Sequence, residues 1–226
     1  MYLLDLSYFS GDIHIPNLEE TCMKNYEIYK LISKWEIEAL ELVLGKCLAD
    51  ELLEQFEITG VEGSKEFKLK DNADPKWKFL IEGRKYQESD SGVSDFYDLT
   101  SMGCGCRTST CPHHKWEGII KKVPLIIEGK EEHYKESLLA YYVYYMWTYD
   151  NASRTSVAGE QKIKVKNSFS VSNQTKRISA FNYFWSWVRA CTYGGKVGLH
   201  VFLKEHSELF PSFEEIKFQN QNIYGI

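Results

Sequence analysis

"SKWEIEALELVLGKCLADEL", residues 33–52, decides the fold class. Trp35, Ile37, Leu40, Val43, Leu44, Leu48 and Leu52 recur with a helical period, so one stripe of this segment seeks a core while its glutamates and lysines seek water. Ser33 and Glu36 have the spacing of a capping box, in which the serine covers a free N–H of the first turn and the glutamate reaches back. That pattern predicts a helix boundary at residue 33, and Gly45 is expected to kink or cap the helix. Upstream, "IPNLEETCMKNYEIYKLI" (15–32) places Asn17 as an N-cap, which predicts a helix from Leu18.

Three later segments extend the helical pattern. A helix is expected from Glu131 to about Asp150, with Leu138, Leu139, Tyr142, Tyr145 and Tyr149 on one stripe. Its aromatic run "YYVYYMWTY" (141–149) is far shorter than the roughly 20 apolar residues of a membrane span. It therefore belongs among protein neighbours, where tyrosines pack without further chemistry. A helix capped by Ser172 or Asn173 is expected through "QTKRISAFNYFWSWVRAC" (174–191), ending before Gly194 and Gly195, and another within "KVGLHVFLKEHSELF" (196–210).

Between these segments lie two departures. Residues 57–130 show short apolar patches divided by Gly, Pro and polar clusters, with "EFKLK" (66–70) alternating like a strand; they are expected to form an irregular insertion. Inside it, "KWKFLIEG" (76–83) and "KWEGIIKK" (115–122) echo each other, each as a short helical turn driving Trp77 or Trp116 into one apolar seam. Residues 153–172, with Gly159 at a bend and Ile163 and Val165 alternating with Lys162, Lys164 and Lys166, predict an extended arm or two-stranded ribbon. The ending (211–226) is polar with apolar anchors at Phe213, Ile216 and Phe218, and is expected to dock on a surface.

The chain has 226 residues, 43% hydrophobic, which supports one sizeable core, and its formal net charge of -5 argues against a surface devoted to nucleic-acid phosphates. The opening residues carry no basic stretch before an apolar run, so no signal peptide is expected. Cys22, Cys47 and Cys191 lie in apolar, helix-like sequence and are expected to act as small buried hydrophobes. Walker A, Gly-x-Ser-x-Gly, Gly-x-Gly-x-x-Gly and His-Glu-x-x-His patterns are absent, and no carboxylate pair is placed for acid–base work. The expectation is that the protein is not an enzyme.

One stretch carries candidate chemistry. "GCGCRTSTCPHHKW" (103–116) sets Cys104, Cys106, Cys111 and His113, with His114 as an alternate, in the donor set that zinc prefers. All donors sit in one short loop, unlike the paired units of common zinc motifs. A structural zinc, a disulfide and an unliganded loop therefore all stand open. The lysine-rich arm, with Arg154, Lys176 and Arg177 nearby, is open to DNA phosphates or an acidic subunit, against a solvated ribbon as the plain alternative.

Several stretches carry a resemblance: "LLDLSYFSGDIHIPN" (3–17), "WEIEALELVLGKCLADEL" (35–52), the "KWKFLIEG"/"KWEGII" pair, "SLLAYYVYYMWTYDNASRTSVAGEQKIKVKNSFSVSNQ" (137–174) and the final "IYGI". Together they resemble neck proteins of tailed phages infecting gut Bacteroidetes, including the crAss-like phages. The resemblance implies a mainly α, connector-like fold: one domain over 1–226, with a helical body at 17–56 and 131–206, the insertion at 57–130, a protruding arm at 153–172 and a docking tail at 211–226. It implies a structural virion protein made in the host cytoplasm, a head-tail connector in a ring commonly of twelve copies. The portal protein and a further neck or tail protein would be its partners, and DNA would pass through the lumen without sequence-specific binding. It makes Arg154, Lys162, Ile163, Lys164, Val165, Lys166, Phe213, Ile216 and Phe218 subunit or portal contacts. No cofactor is required, a structural zinc being the one candidate, and no membrane is implied. The competing expectation is a zinc-stabilised nucleic-acid-binding or modifying phage protein.

Overall fold

The computed structural model describes residues 2–15, 25–59, 66–83, 116–127, 130–150, 154–156, 159–161, 174–189 and 197–215. A single helix, α1, runs from Asn25–Leu44 straight through Ser33. The boundary expected at residue 33 is therefore corrected: Glu36 does not cap a helix start but sits on the inward stripe with Ile32, Ala39, Leu40 and Val43, all buried. The helix start expected at Leu18 lies outside the described residues. Gly45, at φ +79°, does break the helix. Its left-handed backbone turns the chain into α2 (Lys46–Leu53), where Leu48, Ala49 and Leu52 continue the buried face.

The expected irregular insertion contains regular structure. β1 (Phe56–Thr59) and β2 (Glu66–Leu69) form an antiparallel hairpin. α3 (Pro75–Glu82) follows, started by Pro75 at its first turn and by the Asp74 carboxylate, which accepts the Lys76 N–H at 2.9 Å. β3 (Ile120–Ile127) then pairs with β4 (Lys130–Ser137) from Ile120↔Ser137 to Ile127↔Lys130. The helix expected from Glu131 is thus corrected for its first seven residues. "IKKVPLII" has the β-branched content of a strand, and only Glu128-Gly129 separates it from "KEEHYKES", so tertiary pairing overrides the helix propensity of the glutamates.

β4 passes directly into α4 (Leu138–Asp150), where the buried Ser137 hydroxyl accepts the Leu139 N–H at 3.2 Å. A ribbon of β5 (Arg154–Ser156) and β6 (Gly159–Gln161) leads on towards α5 (Gln174–Arg189), and α6 (Leu199–Glu205) follows. The fold is mainly α. Each hairpin pairs only its own two strands among the described residues.

α4 packs between α1 and α5, and α5 also meets α6. The two tryptophans of the sequence echo do enter one seam: Trp77 meets Phe210 edge-on at 5.9 Å, and Trp116 stacks on Phe202 at 5.3 Å. Trp116 gets there from an extended lead-in to β3 rather than a helical turn, with its indole N–H donating to the Leu80 carbonyl at 3.1 Å. No helix among the described residues is long and apolar enough to cross a membrane. Cys47, expected in the core, is exposed on α2, because its position turns away from the Leu48–Leu52 stripe.

Candidate functional site

Glu36 is fully buried. Its Oε2 accepts the Tyr2 N–H at 2.8 Å, and its Oε1 accepts those of Leu3 and Leu4 at 2.6 and 2.8 Å. Burial pushes the carboxyl above its ordinary range, and the three donors pull back towards the ionised form without cancelling it. The group staples the first residues of the chain onto α1. Asp5 adds a second attachment by pairing with Lys135 at 2.7 Å.

Among the described residues the α4–α5 pair carries an aromatic, arginine-bearing surface on which Phe181 and Trp185 are half-buried. Along α5, Arg177, Phe181, Trp185 and Arg189 are spaced four apart and share one stripe. Arg189 lies over the Trp185 ring at 4.5 Å, and Arg177 over the ring of Tyr149, which is 59% exposed at the end of α4. Phe181 stacks obliquely on Tyr145 at 4.8 Å. On the flank, Tyr183 stacks on Tyr141 at 4.2 Å, and burial lifts both hydroxyls above the ordinary tyrosine range, so they stay protonated near neutral pH. The β5–β6 ribbon lies on the connection between these helices, with Arg154 opposite Gln161. Gly159, expected at the bend, is the first residue of β6 and pairs with Ser156. Lys162, Ile163, Lys164, Val165 and Lys166 lie outside the described residues.

The start of the expected docking tail packs on its own chain. Phe213 meets His200 at 5.4 Å and is partly buried against the core. Ser212 hydrogen-bonds Glu51, and Glu215 pairs with Lys204 at 2.7 Å. A Cβ on Gly45 would stand 3.1 Å from the Glu214 carbonyl oxygen, so the bend after α1 is where this strap passes. His200, 4% exposed, has Nε2 at 3.1 Å from the Val43 carbonyl. With Nε2 as the donor, Nδ1 presents a lone pair towards Glu215 at 3.6 Å, beyond hydrogen-bond length. Burial lowers the His200 pKa, against the opposing pull of the Val43 carbonyl and Glu215, with Lys204 and Arg189 reinforcing burial. Ile216 and Phe218 lie outside the described residues.

Cys104, Cys106, Cys111, His113 and His114 also lie outside the described residues, and among those described no group of three His, Cys, Asp or Glu is placed to hold a metal ion. The structure does show the stem from which that segment leaves. Gly83 (φ +65°) and Gly118 (φ +92°) pass backbone to backbone, and a Cβ on Gly118 would meet the Ile81 carbonyl oxygen at 2.5 Å. The Ile119 N–H donates to the Leu80 carbonyl just beyond the crossing.

Glu36 as a buried acceptor, His200 beneath the strap and the arginine–aromatic stripe were not among the expectations drawn from the sequence. The four-residue spacing of Arg177, Phe181, Trp185 and Arg189 was a legible signal for the stripe. Compared with family models, curated proteins and solved structures, the chain matches none.

Proposed function

We propose that the chain is a head-tail connector, a neck-ring adaptor that joins a phage portal to the tail and lines the DNA channel. The observation that supports this most is a ribbon-bearing connection between α4 and α5, two adjoining aromatic helices of a mainly α body. A connector needs no covalent chemistry. It needs surfaces that repeat around a ring, and the Arg177–Arg189 stripe offers one built from residue types that dominate protein interfaces.

The test is native mass spectrometry of the full chain with and without the portal of the same phage. Portal-bound multiples in ring stoichiometry support the connector. A zinc-bearing monomer that ignores the portal and binds DNA in a salt-sensitive way would replace it with the nucleic-acid alternative.

A further inference from the structure

Charge is unevenly placed along the chain. Residues 161–204 contain eight Lys or Arg and no Asp or Glu, whereas residues 1–74 contain sixteen acidic residues against seven basic. The two blocks lie on different elements: the basic helix α5 packs on α4 and α6, whereas α2 packs on α1 and β1 pairs with β2.

In the acidic block, Asp50, Glu54 and Glu57 are exposed, and Ile58 beside them is 62% exposed on β1. Two nearby cations are engaged: Lys68, opposite Glu57 across the hairpin, pairs with Asp71 at 2.9 Å, and Lys70 donates to the Glu54 carbonyl at 2.7 Å, while Lys46 is exposed at the start of α2.

We infer that copies of this chain associate head to tail, the Arg177–Phe181–Trp185–Arg189 stripe of one copy seating on the α2–β1 edge of the next. Charge complementarity selects this partner: the chain itself supplies both signs, and arginine with tryptophan beside a protruding apolar residue is the composition of an interface hot spot. The two faces differ, so the contact is heterologous and propagates into a ring or an open filament. Single-stranded nucleic acid fits less well, because bases stack on open ring faces and here Arg189 and Arg177 already occupy faces of Trp185 and Tyr149. The inference deepens the connector proposal and rests on it only for the biological use of the contact.

Sedimentation velocity of the full chain at low and high salt tests it. The expected result is self-association that weakens as salt rises. R177E/R189E and E54K/E57K should each weaken it by about tenfold or more. Mixed together, the two variants offer one native contact and one charge-swapped contact, so association should return with the two variants alternating. A chain carrying all four reversals should associate again. Far-UV circular dichroism and thermal unfolding check each variant, and R177Q/R189Q or E54Q/E57Q replaces the corresponding reversal if it fails to fold.

A wild-type chain that stays monomeric at every concentration overturns the inference, as does association indifferent to both reversals. So does a monomer that binds oligothymidylate through Arg177 and Arg189. The connector proposal fails separately: charge-dependent self-association without portal binding sinks the connector and keeps the interface, whereas portal capture of a persistent monomer does the reverse.

Discussion

At Glu36 one carboxylate side chain satisfies three backbone donors. Glu36→Gln replaces an acceptor oxygen with an NH2 facing a backbone N–H, and leaving a buried donor unpaired costs about 1–3 kcal/mol. Urea unfolding should show that loss, and amide exchange at Tyr2, Leu3 and Leu4 should accelerate more than exchange in α4. Gly45→Ala should cost about 1–2 kcal/mol, because φ +79° strains any L side chain and the Glu214 carbonyl narrows the space; a shift in the unfolding midpoint checks it. The importance of Gly45 was legible in the sequence as a helix break. The burial of Glu36 was not: Ser-x-x-Glu is also a capping box, and local spacing alone cannot reveal that the donors come from residues more than thirty positions away. The periodicity did hold a clue, since Glu36 falls between Ile32 and Ala39–Leu40 on the apolar stripe.

Among the elements, β4 shows where propensity misleads. "KEEHYKES" has the composition of a solvated helix and becomes a strand because β3, eight residues of partner backbone, is two residues away. The seam around α6 was partly legible through the Trp77/Trp116 echo, but its histidines were not. Burial lowers the pKa of both His200 and His206 from the ordinary 6.5. The unfolded chain then binds more protons as pH falls below about 6.5, so this contribution to stability is complete above that value and is lost as pH drops towards the folded pKa values. Burial raises the carboxyls of Glu36 and Glu205, whose contributions run the other way from 4.5 upward. The H200Q/H206Q variant isolates the histidines: its unfolding midpoint should fall less than the wild-type midpoint between about pH 7.5 and pH 5.5. An equal fall in both proteins would show that the seam does not titrate.

For the whole molecule, helical period and turn chemistry carried the mainly α class, whereas pairing between distant segments had no local signature. The Gly83–Gly118 crossing brings the two ends of residues 84–115 together. Replacing that segment with a short Gly/Ser linker should therefore leave the thermal midpoint within about 5 °C of the wild type, since loop-closure entropy changes only slowly with length. A collapse of the midpoint would show that the segment is part of the body. Helix α1 receives the beginning of the described chain at Glu36 and its end around Val43 and Gly45, nine positions or about 13 Å apart along one axis. Its seats at Glu36 and Val43 are filled by residues from 32 to 157 positions away. A helical protein ordinarily folds fast because its contacts are local. This one has to bring both ends of its described residues to a single helix, so its refolding should lag behind that of an up-and-down bundle of the same length, with α4 gaining exchange protection before Tyr2–Leu4 and the strap at 211–215.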